Sequence, residues 1–176
     1  MITLSPVDVQ WAQRMLDWIL PQAETNSLEA KRVSGKMVGK ALETLCAFAN
    51  SQGGWLVLGV EDADKAKGRD RLFGIGENPE AVDELLRKLA THHQPAIEGV
   101  AGVRFDTTLR DGTTGSIVAL HVPASDKVHS ILDGGTWTRG QASNRIMNAL
   151  EVTELSYQRG VRSAESEPVA VDFDLL

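Results

Sequence analysis

Val7, Trp11, Met15 and Trp18 recur at helical spacing near the start of the chain, and Pro21 closes the run. Ser5-Pro6-Val7-Asp8 supplies a start signal for that helix: a serine to cap it, a proline at the first helical position and an acid in the first turn. Across residues 27–33 the period shortens to two. Leu28, Ala30 and Arg32 fall on one side and Glu29, Lys31 and Val33 on the other, which predicts a strand. From Lys36 to Asn50 the helical period returns, with Val38, Ala41, Leu42, Leu45, Cys46 and Ala49 as the buried face. Gly53-Gly54 ends this helix. The continuous apolar run Trp55-Leu56-Val57-Leu58-Gly59-Val60 then has the length of a strand buried on both faces.

A charged loop over residues 61–70 follows, and Leu72-Phe73-Gly74-Ile75 is expected to return as a short strand. Asn78-Pro79 starts a helix carried by Val82, Leu85, Leu86 and Leu89, with Pro95 beyond its end. Strands near residues 102–109 and 116–122 flank Asp111-Gly112, a hairpin dipeptide in a loop longer than two residues. Thr136-Trp137-Thr138-Arg139 predicts another strand, and residues 149–159 a last helix. The expected fold is α/β in the α+β sense, a mixed sheet flanked by helices, because a hairpin interrupts any regular β-α-β-α series. Residues 1–22 are expected to form a helix packed on the domain, 23–160 the domain, and 161–176 an acidic tail or linker.

At 176 residues the chain suits one domain with a real core. The N-terminus lacks the basic start and apolar stretch of a signal peptide, and no apolar run nears the ~20 residues of a spanning helix. No membrane association is expected. The single cysteine, Cys46, permits neither an internal disulfide nor a cysteine-rich zinc site, so a reducing cytoplasmic compartment fits. A net charge of −6 opposes a nucleic-acid partner at first, since phosphate contacts need cations. Glu165, Glu167, Asp172 and Asp174 hold four of those charges in the tail, leaving −2 for the body. Within the body, Lys31, Arg32, Lys36 and Lys40 form a run free of acids, and Arg139, Arg145, Arg159 and Arg162 a second set. By charge alone each set suits a solvated face at least as well as a phosphate-binding one.

Ser34-Gly35-Lys36-Met37 resembles the end of a phosphate-binding loop, but Ala30 stands where the first glycine belongs and Met37 where the metal-binding hydroxyl belongs. No ATP is expected. Glu24, Glu29 and Asp62 offer different chemistry. Glu29 and Lys31 lie two apart on a predicted strand and share a face. Asp62 follows a buried strand, and Glu24 precedes the first predicted one. Three carboxylates at one point call for a cation between them, and hard oxygen ligands suit Mg²⁺ or Mn²⁺. Acids in loops beside strands more often face solvent, and the residues alone leave both readings open. His92-His93 fits a helix end, where the dipole favours a cation, while His121 falls in a strand and His129 in a loop. Cys46, Trp11, Trp18 and Trp55 are expected in the core, and core packing also suits Trp137 better than base stacking.

Three blocks together resemble the Schlafen AlbA-like domain family, also found in bacterial RecG-like and winged-helix regulators. Glu24-Thr25-Asn26-Ser27-Leu28-Glu29-Ala30-Lys31 is similar to the family's Glu-x4-Glu-Phe-Lys, with Ala30 in place of the phenylalanine. Ala47-Phe48-Ala49-Asn50-Ser51-Gln52-Gly53-Gly54-Trp55-Leu56-Val57-Leu58-Gly59-Val60-Glu61-Asp62 resembles its most specific signature, and Trp137-Thr138-Arg139-Gly140 with Arg145 its late Arg-Gly segment. The resemblance implies a nucleic-acid-binding lobe. In its sharpest form it implies a divalent-metal-dependent endoribonuclease acting on tRNA or rRNA. Glu24, Glu29 and Asp62 would then hold Mg²⁺ or Mn²⁺, Lys31 would assist, and Lys31, Arg32, Lys36, Lys40, Arg139 and Arg145 would contact RNA or DNA. The alternative is a non-catalytic DNA-binding regulator module of a longer protein. The resembling nucleases join two lobes around an RNA groove, so a homodimer is expected to complete this one.

Overall fold

A computed structural model describes residues 2–34 and 36–166 of the chain. The expected tail, residues 161–176, lies largely outside them. In order, the elements are β1 (Leu4–Pro6), α1 (Val9–Ile19), β2 (Leu28–Lys31), α2 (Met37–Ala49), β3 (Gly53–Leu58), α3 (Pro79–Thr91), β4 (His93–Gln94), β5 (Ala101–Thr108), β6 (Thr114–Pro123), β7 (Ser130–Ile131), β8 (Trp137–Gly140), β9 (Ser143–Ile146) and α4 (Ala149–Ser166). Five strands form one sheet in the order β1-β5-β6-β3-β2. The outer pairs β1–β5 and β2–β3 are parallel and the inner pairs antiparallel, so the sheet is mixed, as expected.

The alternation along β3 shows why its run is apolar throughout. Leu56 and Leu58 face α2 and α3, joining Leu45, Phe48, Leu85 and Leu120 in one core. Val57 faces the other way, toward α1, with Leu16, Ile19 and Ile117. A central strand covered on both faces has no polar side. The turn from α2 into β3 is tight enough to demand its two glycines. Gly53 has φ +78°, and a Cβ there would sit 2.6 Å from the Val122 carbonyl oxygen. A Cβ on Gly54 would meet the Phe48 ring at 2.8 Å.

Several expectations are corrected. Ser5-Pro6 does not start a helix: it pairs with Val103 and Arg104 as part of β1, an edge position where proline costs no ladder bond. Asp8 caps α1 instead, its Oδ1 accepting the Trp11 N–H at 2.7 Å. Residues 72–75 form no strand. Leu72 makes one isolated bridge to Val60 between two 3-10 turns, Gly68–Arg71 and Ile75–Glu77. Trp18 is 39% exposed rather than core, and α4 continues beyond the expected end at 159. Cys46 is buried as expected, and burial pushes its thiol up to about 11.

His93 is no dipole-facing cation. It leaves α3 and is buried, its Nε2 at 3.1 Å from the Leu42 carbonyl. His129 is also buried, between the Pro95 carbonyl and the Ser125 hydroxyl, each 2.7 Å away. Burial holds both imidazoles below the ordinary 6.5. Their folded pKa values therefore lie below the unfolded one, and falling pH loads protons on the unfolded chain first. Stability should be full above ~6.5 and should drop as pH falls through that value toward the lowered ones. Glu24, whose carboxyl is raised to about 7, acts in the opposite sense over the same range, so the histidine contribution is read as a difference: between about pH 7.5 and 5.5 the urea midpoint of the parent should lose more, or gain less, than that of His93→Gln. Equal changes in the two proteins would contradict the burial argument.

Candidate nucleic-acid interface

β2 is an edge strand of the sheet, and Glu29 and Lys31 on it face the same way. Glu29 is only 6% exposed. One of its oxygens accepts from Lys31 Nζ at 2.6 Å and the other from Arg139 Nη2 at 2.7 Å. The Arg139 side chain is 1% exposed and also donates to the Thr25 carbonyl at 2.9 Å and to Asn144 Oδ1 at 2.7 Å. Its position follows from the end of α2. Asn50 Oδ1 accepts the His129 N–H, and its Nδ2 donates to the carbonyls of His129 and Trp137, all at 2.8 Å. Ser51 Oγ accepts the Arg139 N–H at 3.0 Å. Asn50-Ser51 thus hangs β8 on α2 and aims Arg139 at β2.

Glu24 and Asp62 complete the cluster. The Glu24 carboxyl is pushed up to about 7, first by burial and then by the charges of Glu29 and Asp62, against the lowering effect of Lys31 and Arg139. Glu24 therefore lies near enough to both Glu29 and Asp62 to feel their charges. Beneath them Arg71, 1% exposed, donates to the carbonyls of Ile19, Leu20, Gln22 and Glu61 at 2.7–3.0 Å. Burial lowers its pKa, while the charges of Asp62, Glu24 and Glu61 raise it. Sequence reasoning missed Arg71, because nothing in the 61–70 loop marks the next residue as buried.

The donor chemistry suits a hard divalent ion, but the placement does not. Both oxygens of Glu29 are taken by cations. Asp62 Oδ1 accepts the Asp64 N–H at 3.0 Å. Among the described residues no group of three or more His, Cys, Asp or Glu side chains is placed to hold a metal ion. As arranged, the acids are balanced by Lys31, Arg139 and Arg71 rather than waiting for a metal.

Beside the cluster lies a groove of about 440 Å³, lined by Lys31, Arg32, Lys36, Lys40 and Lys65 with one acid, Glu61. Lys65, 70% exposed and 3.8 Å from Glu61, is a cation that the pattern of the sequence does not single out. The other predicted phosphate contacts sort by their partners. Lys36 is exposed with no carboxylate partner among the described residues, and Lys40 is 68% exposed beside Glu43 at 3.0 Å. Arg32 is committed to Glu77 through a two-pronged pair and stacks on Phe73, its carbon 3.7 Å from the ring centroid. Arg145 is likewise paired with Glu151. Arg139 is corrected outright: buried against Glu29, it has no surface to offer a phosphate. Arg159 of the second basic set is also buried, donating to the carbonyls of Ala49 and Lys127. The expected single basic face therefore shrinks to the lysines around the start of α2.

A mixed five-stranded sheet with helices on both faces and an acid–base cluster on its β2 edge defines a small α+β lobe. The chain belongs to the Schlafen, AlbA_2 family, whose sequence profile matches residues 24–148. Among solved structures it is similar in fold to the DIP2311 protein from Corynebacterium diphtheriae, with a TM-score of 0.52 and 21% identity. That match covers 76% of this chain and 27% of the other. No curated protein matches the chain. No helix among the described residues is long and apolar enough to cross a membrane.

Proposed function

We propose that this domain binds nucleic acid through the lysine-lined groove at the start of α2. The observation that carries the reading is the groove itself: the exposed Lys36, Lys40 and Lys65 converge there, beside Lys31, on one side of a molecule with net negative charge. Lysines of this kind contact the phosphate backbone and position the partner without reading its sequence. The reading favours a non-catalytic binding module, with RNA and DNA both as candidate partners, since Glu29 is already neutralised by Lys31 and Arg139.

The test is binding of a tRNA and of duplex DNA across a salt series. Contacts from Lys36, Lys40 and Lys65 give a log–log slope of about −2.7 for duplex, from ~0.9 per phosphate, with Lys31 held by Glu29. Lys36→Glu with Lys65→Glu should remove two of those contacts and leave a slope of about −0.9 by the same rule, with the melting temperature unchanged. Binding that ignores salt would overturn the proposal. If two copies complete one groove, light scattering of the complex should find two chains per nucleic acid.

A second reading rests on the crowding of Glu24 by Glu29 and Asp62. It makes the domain a divalent-metal-dependent endoribonuclease acting on structured RNA, and it requires Glu29 to leave Lys31 and Arg139. Incubation of tRNA and rRNA with Mn²⁺ or EDTA separates the two readings. Cleavage that EDTA abolishes favours the enzyme, and intact RNA favours the binding module.

A further inference from the structure

The loop from β6 to β7 carries a serine and a histidine that neither reading of the nucleic-acid site uses. Ser125 Oγ lies 2.7 Å from His129 Nε2, and His129 Nδ1 lies 2.7 Å from the Pro95 carbonyl oxygen. A carbonyl only accepts, so Nδ1 carries the ring proton. Burial lowers the pKa of this imidazole, and the charges of Arg159 and Lys127 lower it further, against the Pro95 hydrogen bond and Asp126. His93, at the end of α3, is the other titratable group that the ring influences. At about pH 7 the ring is therefore neutral, Nε2 is a bare acceptor, and the Ser125 hydroxyl donates to it. Asn50 bonds both the N–H and the carbonyl of His129, which fixes the base in place.

A hydroxyl donating to a neutral imidazole that a third group orients is the arrangement of an activated nucleophile. Ser125 is partly exposed, and both residues open on a groove of about 420 Å³. Small residues line it, Ala96, Gly99 and Ala124, together with Lys127 and the acids Glu98 and Asp126. The small walls suit a short acyl chain, the acids disfavour an anionic substrate, and Lys127 is the cation available to a developing oxyanion. We propose that Ser125 and His129 form a nucleophile–base pair that takes an acyl group from small, uncharged carboxylic esters. Oγ bonds to the ester carbonyl carbon while its proton passes to Nε2. The bond to the leaving alcohol then breaks, and the alcohol departs with that proton, leaving acyl-Ser125. Water, deprotonated by the same Nε2, releases the acid and restores the serine. A loop brace would use the same contacts, since the Lys127 N–H also donates to Ser125 Oγ at 3.0 Å, so reactivity decides.

The full-length protein and p-nitrophenyl acetate provide the test. The release of p-nitrophenol that depends on Ser125, the parent rate minus that of Ser125→Ala, should exceed the rate at an exposed serine such as Ser156 about a hundredfold. Peptide mapping after brief exposure should place the acetyl group on Ser125. The Ser125-dependent rate should level off once His129 has lost its proton, which burial sets below the ordinary 6.5. An unassisted hydroxyl would instead gain with every further pH unit. His129→Gln should abolish the Ser125-dependent rate, and should it fail to fold, the pH profile of the parent carries the test. Lys36→Glu with Lys65→Glu should leave the rate unchanged, which separates this site from the lysine groove. No Ser125-dependent release and no acetyl on Ser125, or a Ser125-dependent rate still climbing past about pH 8, would overturn the proposal and leave the contact as a brace.

Discussion

Arg139→Ala is expected to cost about 3–5 kcal/mol of stability, the loss that follows when one partner of a buried ion pair is removed. The reason is what the substitution leaves behind. Glu29 would stay 6% exposed with only Lys31 to balance it, and the Thr25 carbonyl and Asn144 would lose their donor. A domain of this size is stable by about 5–15 kcal/mol, so the variant should be near its folding limit at 37 °C. Urea denaturation reads the effect directly. Adding Glu29→Gln should recover part of the loss, because the orphaned charge is then gone. A single variant as stable as the parent would show that Arg139 is not holding β8 to β2. Loss of nucleic-acid binding in Arg139→Glu would consequently report unfolding rather than a missing phosphate contact. Lys36 and Lys65, exposed and away from the core, are the positions where charge reversal reports binding.

Arg71→Met should be nearly as damaging. Arg71 satisfies the carbonyls of Ile19, Leu20 and Gln22, which follow from the end of α1, and that of Glu61 in the segment leading to Asp62. Helix ends leave carbonyls without internal partners, and here the guanidinium replaces water as their donor. Methionine matches the volume but donates nothing, stranding acceptors in a buried place. Hydrogen bonds from a charged group contribute about 1.5–3 kcal/mol each in isolation and are not additive, so a net loss of about 3 kcal/mol is expected. For a domain of this length that lowers the melting temperature by about 6–12 °C. A shift below about 2 °C would mean that water reaches these carbonyls.

Periodicity carried the main elements. α2, β3, α3, β5 and β6 are long enough, and buried enough, for their apolar spacing to announce them, and Asn78-Pro79 marks the start of α3 through its own cap. The short pieces escaped. β1 has three residues, too few for a period, and its Ser5-Pro6 suits a helix start as well as an edge strand, while β9 is exposed at three of its four positions and so carries no apolar alternation. Residue types also pointed to the neighbourhood of Glu24, which feels the charges of Glu29 and Asp62 in the fold. Their partners could not be read the same way. Arg139 meets Glu29 across 110 positions of chain, and Arg71 meets Ile19 across 52. An arginine in a strand or loop has the same local pattern whether its head faces water or is covered later by another element. Which outcome holds depends on where α2 places Asn50 and Ser51, and thus on packing at long range. The chain by itself determined the elements and the chemical types near β2; only the tertiary structure decided that the cations there are already committed to the acids, because burial and pairing are properties of the assembled fold.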